Sequence, residues 1–239
     1  MLNDPILHQF IHSFYGYGSF AADTWFLGME EGGGESLDEV SRRLAVWQAR
    51  GGQELEDVCG YHDALYLGQF FREPVKLQRT WAQLCRMVLV SRGEPADLQA
   101  VKAYQKDRLG RPAGETCLME LLPLPSPGTD RWFYADWSML PFLTSRSTYQ
   151  EQVLPVRIKN LKERIQQHQP KFVIFYGMGY WEHWAAVAEA TFTRLAPDGF
   201  GWAKKNDTNF LIIQHPAAKG VSNDYFERAG KLLLAARKI

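Results

Sequence analysis

The chain has 239 residues, 46% of them hydrophobic, and balances 27 Lys plus Arg against 27 Asp plus Glu for a formal net charge of zero. That balance excludes a global basic field, so any contact with nucleic acid has to come from a local patch. Three cysteines, Cys59, Cys85 and Cys117, are odd in number and widely spaced, which argues against a disulfide framework, a zinc site or a four-thiolate iron–sulfur cluster.

The length suits one substantial α/β domain and no linker-like stretch divides it, so a single domain over residues 1–239 is expected. No run approaches the ~20 apolar residues that a bilayer span needs. The first residues are acidic and histidine-bearing where a signal peptide would be basic and then apolar. A monomer in a reducing cytoplasm, without cofactor, metal or membrane partner, is the expectation.

Residues 1–15 carry Ile6, Phe10, Ile11 and Phe14 at helical spacing. Gly16-Tyr17-Gly18-Ser19-Phe20-Ala21 looks like a dinucleotide fingerprint, yet it precedes a strand instead of following one, which removes the phosphate-cradling geometry. Thr24 to Gly34, T-W-F-L-G-M-E-E-G-G-G, is an apolar run leading into a glycine and two adjacent carboxylates. A buried strand delivers charged side chains to a pocket at its end in this way. Ser36 and Glu39 then make a capping box, and Leu37, Val40, Leu44 and Trp47 form one helix face. Glu30 and Glu31 therefore sit on a glycine-loosened turn between strand and helix.

Residues 51–75 are glycine-rich and aromatic without period, and read as a long, partly ordered loop. A helix through Leu77, Trp81, Leu84 and Val88 follows, then a second opened by Pro95 and ended near Gly110. Thr116 to Leu122 is apolar except for Glu120 and stops at Pro123-Leu124-Pro125-Ser126-Pro127, the pattern of a buried strand ending in an irregular loop. The aromatic tract from Arg131 to Trp137 suits either a hydrophobic flap or base stacking. Gln150 to Gln169 is a long amphipathic helix, and Lys171 to Tyr176 is a strand ending at Gly177. A tryptophan-rich helix containing His183 leads to the last strand, Asn209 to Gln214, which ends at His215-Pro216. A closing helix from Ser222 has Tyr225, Phe226, Ala229, Leu232 and Leu233 inside.

Strands alternating with helices predict a three-layer α/β/α fold around a central, mostly parallel four-stranded sheet. Function then belongs at the carboxyl ends of the strands, where Glu30, Glu31, Glu120 and His215 would converge on one cleft.

These residues resemble motifs of the uracil-DNA glycosylase superfamily. F-L-G-M-E-E-G at Phe26 to Gly32 is similar to F-L-G-M-N-P-G of the single-strand-selective enzymes and to G-Q-D-P-Y of the classical ones. E-L-L-P-L at Glu120 to Leu124 stands in the place of N-L-x-P-L, and H-P-A-A-K-G at His215 to Gly220 resembles the closing H-P-S-P motif. The resemblance implies a glycosylase-like fold and a DNA partner, single- or double-stranded. Glu30 falls where the family positions or activates the attacking water, and His215 matches the histidine that donates to the pyrimidine O2, where negative charge accumulates. Gly28, Met29, Glu31 and Gly32 accompany Glu120 around the base, and Ala218, Lys219 and Gly220 stand where the family carries its wedge into DNA.

Two departures redirect the substrate. An ionised Glu120 has no donor for O4 of uracil but accepts from the exocyclic amine of cytosine. Gly32 replaces a Tyr whose ring closes off C5, and the run Gly32-Gly33-Gly34 would let backbone approach a substituent there. The implied reaction is hydrolysis of the N-glycosidic bond of a flipped, C5-modified cytosine, hydroxymethylated or glucosylated. The superfamily includes antiviral members that attack such bacteriophage DNA. A uracil or hypoxanthine repair glycosylase and a catalytically inactive nucleotide- or DNA-binding module are the alternatives. Structural roles also stand beside the sharp ones: dipole-favoured acids for Glu30 and Glu31, an arginine partner for Glu120, a satisfied strand-end histidine for His215, a solvated surface lysine for Lys219. His8, His12, His62, His168 and His183 show no ligand spacing and read as structural or surface. Tyr61, Phe70, Phe71 and Trp132 are stacking candidates that the sequence does not rank.

Overall fold

The computed structural model describes residues 1–128 and 130–237. Helix α1 (Asp4–Ser13) starts where Asn3 Oδ1 accepts the Ile6 amide, with Pro5 in its first turn, and buries Leu7, Phe10 and Ile11. A two-residue strand β1 (Gly16–Tyr17) precedes the long strand β2 (Thr24–Glu30). The segment that resembles a dinucleotide fingerprint is thus in part a short sheet strand. Helix α2 (Leu37–Ala49) begins where Ser36 Oγ accepts the Glu39 amide. Only half of the expected capping box closes, because the Glu39 carboxylate turns away to accept the amides of Gly34 and Glu35 and so ties down the glycine turn.

Residues 51–75 are more ordered than their composition suggests. They form strand β3 (Leu55–Glu56), helix α3 (Val58–Ala64) capped by Asp57, and a 3-10 turn at Gly68–Phe70. Burial of Val58, Tyr61 and His62 stabilises a helix too short to show a period. Helices α4 (Arg79–Ser91) and α5 (Leu98–Asp107) lead to strand β4 (Thr116–Leu122). The aromatic tract beyond it contains a short helix, α6 (Tyr134–Trp137). Helix α7 (Arg146–His168) opens with a complete capping box between Ser145 and Thr148, four residues ahead of the amphipathic stretch. Strand β5 (Phe172–Tyr176), helix α8 (Trp181–Ala188), strands β6 (Thr193–Leu195), β7 (Phe200–Lys205) and β8 (Thr208–Ile213), and helix α9 (Asn223–Ala236) complete the chain.

All strands join one sheet in the order β3-β1-β4-β2-β5-β8-β7-β6. The expected count of four is therefore corrected to eight. The four strands legible in the sequence are its contiguous centre, β4-β2-β5-β8, mutually parallel. The additions are β1 with β3 on one edge and the antiparallel β7 and β6 on the other. Every residue of β5 and β8 is buried, as is β2 up to Met29, so both faces of the sheet centre are covered by other elements. Their carboxyl ends open at a common edge. Arg157 of α7, 0% exposed, locks that edge from below by donating to the carbonyls of Phe14, Glu120 and Leu121 at 2.8, 2.8 and 3.0 Å.

Candidate active site

A cavity of about 410 Å³ lies at the carboxyl ends of the parallel strands. Glu30, Glu31 and Gly32 reach it from the end of β2, Glu120 from β4, Tyr176 from β5, and His215 with Ala217 from the turn after β8. Residues more than 180 positions apart in sequence meet here because parallel strands present their ends to one side.

Glu120 sits on the cavity wall with Gly28 as its register partner on β2. A Cβ at position 28 would overlap Glu120 Oε2 and the Tyr176 ring, so the glycine makes space for both. The Tyr176 hydroxyl donates to Glu120 Oε1 at 2.6 Å, while Oε2 is buried and unpaired among the described residues. Burial pushes the Glu120 carboxyl up to about 8, opposed by the Tyr176 hydrogen bond and reinforced by the charges of Glu31 and Glu30. At neutral pH this side chain is a carboxylic acid. The expectation of an ionised Glu120 is thereby corrected: its pocket is desolvated and favours the protonated form, in which Oε1 accepts from Tyr176 and the unpaired Oε2 has a proton to offer.

Glu30 lines the cavity with its side chain partly buried, and Arg146 of α7 places Nη1 2.8 Å from each of its carboxylate oxygens. Burial raises the Glu30 pKa and the Arg146 bonds pull it down, leaving it above the ordinary value. Arg146 Nη2 also donates to Ser126 Oγ, Gly128 O and Arg131 O, which ties the proline-rich loop after β4 to the Glu30 carboxylate. Glu31 is held separately, by the Tyr17 hydroxyl at 3.1 and 3.2 Å and by Arg43 of α2 at 3.2 Å.

His215 stands at the mouth, its ring 5.5 Å from that of Tyr176 and partly open to solvent. Its Nδ1 accepts the Ala217 amide at 3.1 Å, which assigns the proton of the neutral ring to Nε2. Desolvation, with the positive charge of Arg79, lowers its pKa, so the neutral donor form prevails at pH 7.

The other expected residues divide. A Cβ at Gly32 would meet no atom within 4 Å, so that side of the cavity is open. Gly33 and Gly34 are committed to the turn instead: both have positive φ, Gly33 lies against Glu39 and Arg43, and Gly34 against Pro125. The expectation that all three glycines face a substituent is corrected to Gly32 alone. Met29 is buried and absent from the cavity wall, and Gly28 acts from beneath it. In the turn after His215 it is Ala217 that lines the cavity. Ala218 accepts from Arg79 at 3.4 Å, and Lys219 and Gly220 are exposed on the surface beyond.

Of the stacking candidates, only Phe70 lines the cavity; Tyr61 and Phe71 are buried behind it and Trp132 lies under the Arg146 guanidinium, 5.2 Å from its carbon. Trp81 is a wall residue that sequence reasoning read only as a helix face. Tyr176 was legible as a strand end, but nothing marked its partner. Arg43 and His62 were missed as cavity groups and Arg146 as the partner of Glu30, and His62 is corrected from structural or surface to buried wall residue. Only long-range packing brings them in.

The three cysteines are free thiols, and among the described residues no group of three or more His, Cys, Asp and Glu is arranged to hold a metal ion. No helix among them is long and apolar enough to cross a membrane. Comparison with models of known protein families and with curated proteins finds no match to this chain. The class defined by fold and site is a mixed α/β protein with one eight-stranded sheet and a cluster of ionisable groups at its parallel strand ends.

Proposed function

We propose that the protein is a DNA glycosylase of the uracil-DNA glycosylase superfamily type, acting on a flipped, C5-modified cytosine, with defence against phage DNA as its role. One observation carries the reading: Glu30, Glu120 and His215, drawn from three sequence motifs in family order, line a single cavity. Cleavage of an N-glycosidic bond builds positive charge on the sugar and negative charge on the departing base. Glu30 meets the first demand. Arg146 opposes the burial that would protonate it, and its carboxylate polarises water and stabilises the oxocarbenium-like sugar. His215 meets the second by donating from Nε2 to the pyrimidine O2.

Glu120 reads the base edge as a neutral acid. Its hydroxyl donates to cytosine N3 while Oε1, oriented by Tyr176, accepts from the 4-amino group. The open side at Gly32 favours a base substituted at C5. Uracil is the second reading, because a neutral carboxyl also complements N3–H and O4 with the two roles met in reverse order along the base edge.

The test is incubation with modified and unmodified phage DNA, scoring abasic sites and identifying the released base by mass spectrometry. Release of a C5-modified cytosine, lost in folded Glu30→Gln and His215→Ala proteins, is expected. Abasic sites in none of the substrates would leave a binding module as the better account.

A further inference from the structure

His62 of α3 is 3% exposed and faces the cavity beside Glu31. Its Nδ1 lies 2.7 Å from the Val58 carbonyl oxygen, which can only accept, so Nδ1 carries the proton of the neutral ring. Burial lowers the His62 pKa against the opposing pull of Glu31. Nε2 therefore presents a lone pair. Opposite it, at 4.0 Å, is Glu31 Oε1, a second acceptor. Two acceptors this close together on the cavity wall favour a ligand that brings donors to them from the cavity side.

The surroundings specify the donor. Arg43, 3.2 Å from Glu31, adds N–H groups. Trp81 stands edge-on to His62 with ring centroids 5.0 Å apart and supplies an apolar wall, extended by Phe70 at 5.6 Å. Acceptors, a guanidinium and an aromatic face together suit a group that carries hydroxyls on an aliphatic frame. Gly32, next to Glu31 and without neighbours around its Cβ position, leaves the approach from the Glu30 side unobstructed.

We propose that Glu31, Arg43, His62 and Trp81 form a subsite for a hydroxyl-bearing substituent on C5 of the flipped base, with O–H groups donating to His62 Nε2 and Glu31 Oε1. This rests on the glycosylase reading for its substrate but not for its chemistry. A site built around a buried and a half-buried acceptor rejects an analogue that lacks the matching donors more strongly than an apolar pocket does.

The experiment has two arms. In the first, release rates are compared on DNA carrying 5-hydroxymethylcytosine, its glucosylated form and 5-methylcytosine. The wild type should favour the hydroxylated bases by at least tenfold over the methylated one, and His62→Leu should collapse that ratio. Equal loss on all three substrates, or no preference in the wild type, overturns the subsite. Trp81→Ala, at a half-buried position, is the second variant should His62→Leu fail to fold. In the second arm, the His62 ring nitrogens are followed by NMR while methyl glucoside is added to the wild-type protein. A saturable shift of Nε2, absent with 2-methoxytetrahydropyran, which keeps the ring and methoxy group but lacks the hydroxyls, is expected. Should no base be released from any DNA, the glycosylase reading fails alone, and the second arm still decides: an unmoved Nε2 overturns the subsite.

Discussion

Replacing Tyr176 with Phe isolates the contact that sets the state of Glu120. The hydroxyl donates to Glu120 Oε1 at 2.6 Å and favours the ionised form, against burial and the charges of Glu31 and Glu30. A hydrogen bond to a charged group is worth about 1.5–3 kcal/mol, so its loss should raise the Glu120 midpoint by roughly one to two pH units, at about 1.4 kcal/mol per unit. The wild-type midpoint itself, near 8 instead of the ordinary 4.5, has a consequence for stability. Between those two pH values the folded protein keeps a proton that the unfolded chain releases. Stability should therefore fall as pH rises from about 4.5 to about 8, by on the order of 5 kcal/mol in total, and level off above. Carbon-13 NMR of the Glu120 carboxyl, with denaturant melts across pH, measures both. A wild-type midpoint in the ordinary carboxylate range, or a downward move in Tyr176→Phe, would refute the reasoning. The same titration should appear as the alkaline limb of base release, since an ionised Glu120 loses its donor.

Arg146→Met should raise the Glu30 midpoint further, because only Arg146 opposes its burial; the acid limb of the pH–rate profile should move to higher pH, and an unmoved or downward-shifted limb would count against the pairing. Gly28→Ala should displace Glu120 and Tyr176 and destabilise the fold by about 1–3 kcal/mol, the usual cost of overpacking, read by thermal melting. Arg157→Leu strands the carbonyls of Phe14, Glu120 and Leu121 and should cost about 3–5 kcal/mol in a denaturant melt, whereas Glu54→Ala at the surface should be near neutral. Gly32→Tyr should fold normally, since its Cβ meets nothing within 4 Å, and should cut release of bulky C5-modified bases at least tenfold more than release of unmodified ones.

The four central strands were legible because each is a run of buried residues bounded by Gly, Pro or His, and burial on both faces leaves a continuous apolar signature. Strands β1 and β3, two residues each, carry no period to read. Strand β7, with β6, hides in a stretch where glycine and lysine interrupt the apolar positions, and its pairing with β8 decides its conformation. Helix α3 is of the same kind, fixed by what it buries.

At the site, the sequence by itself determined which groups lie at or near the strand ends, Glu30, Glu31, Glu120 and His215, although β2 runs two residues past Gly28 and takes Glu30 into the strand instead of the turn. Only the tertiary structure decided their chemical states. Whether Glu120 carries a charge depends on Tyr176 and Gly28, 56 and 92 positions away, and Glu30 depends on Arg146, 116 positions away. Desolvation and pairing are sums over neighbours in space, and a chain read in order contains the neighbours but not their distances.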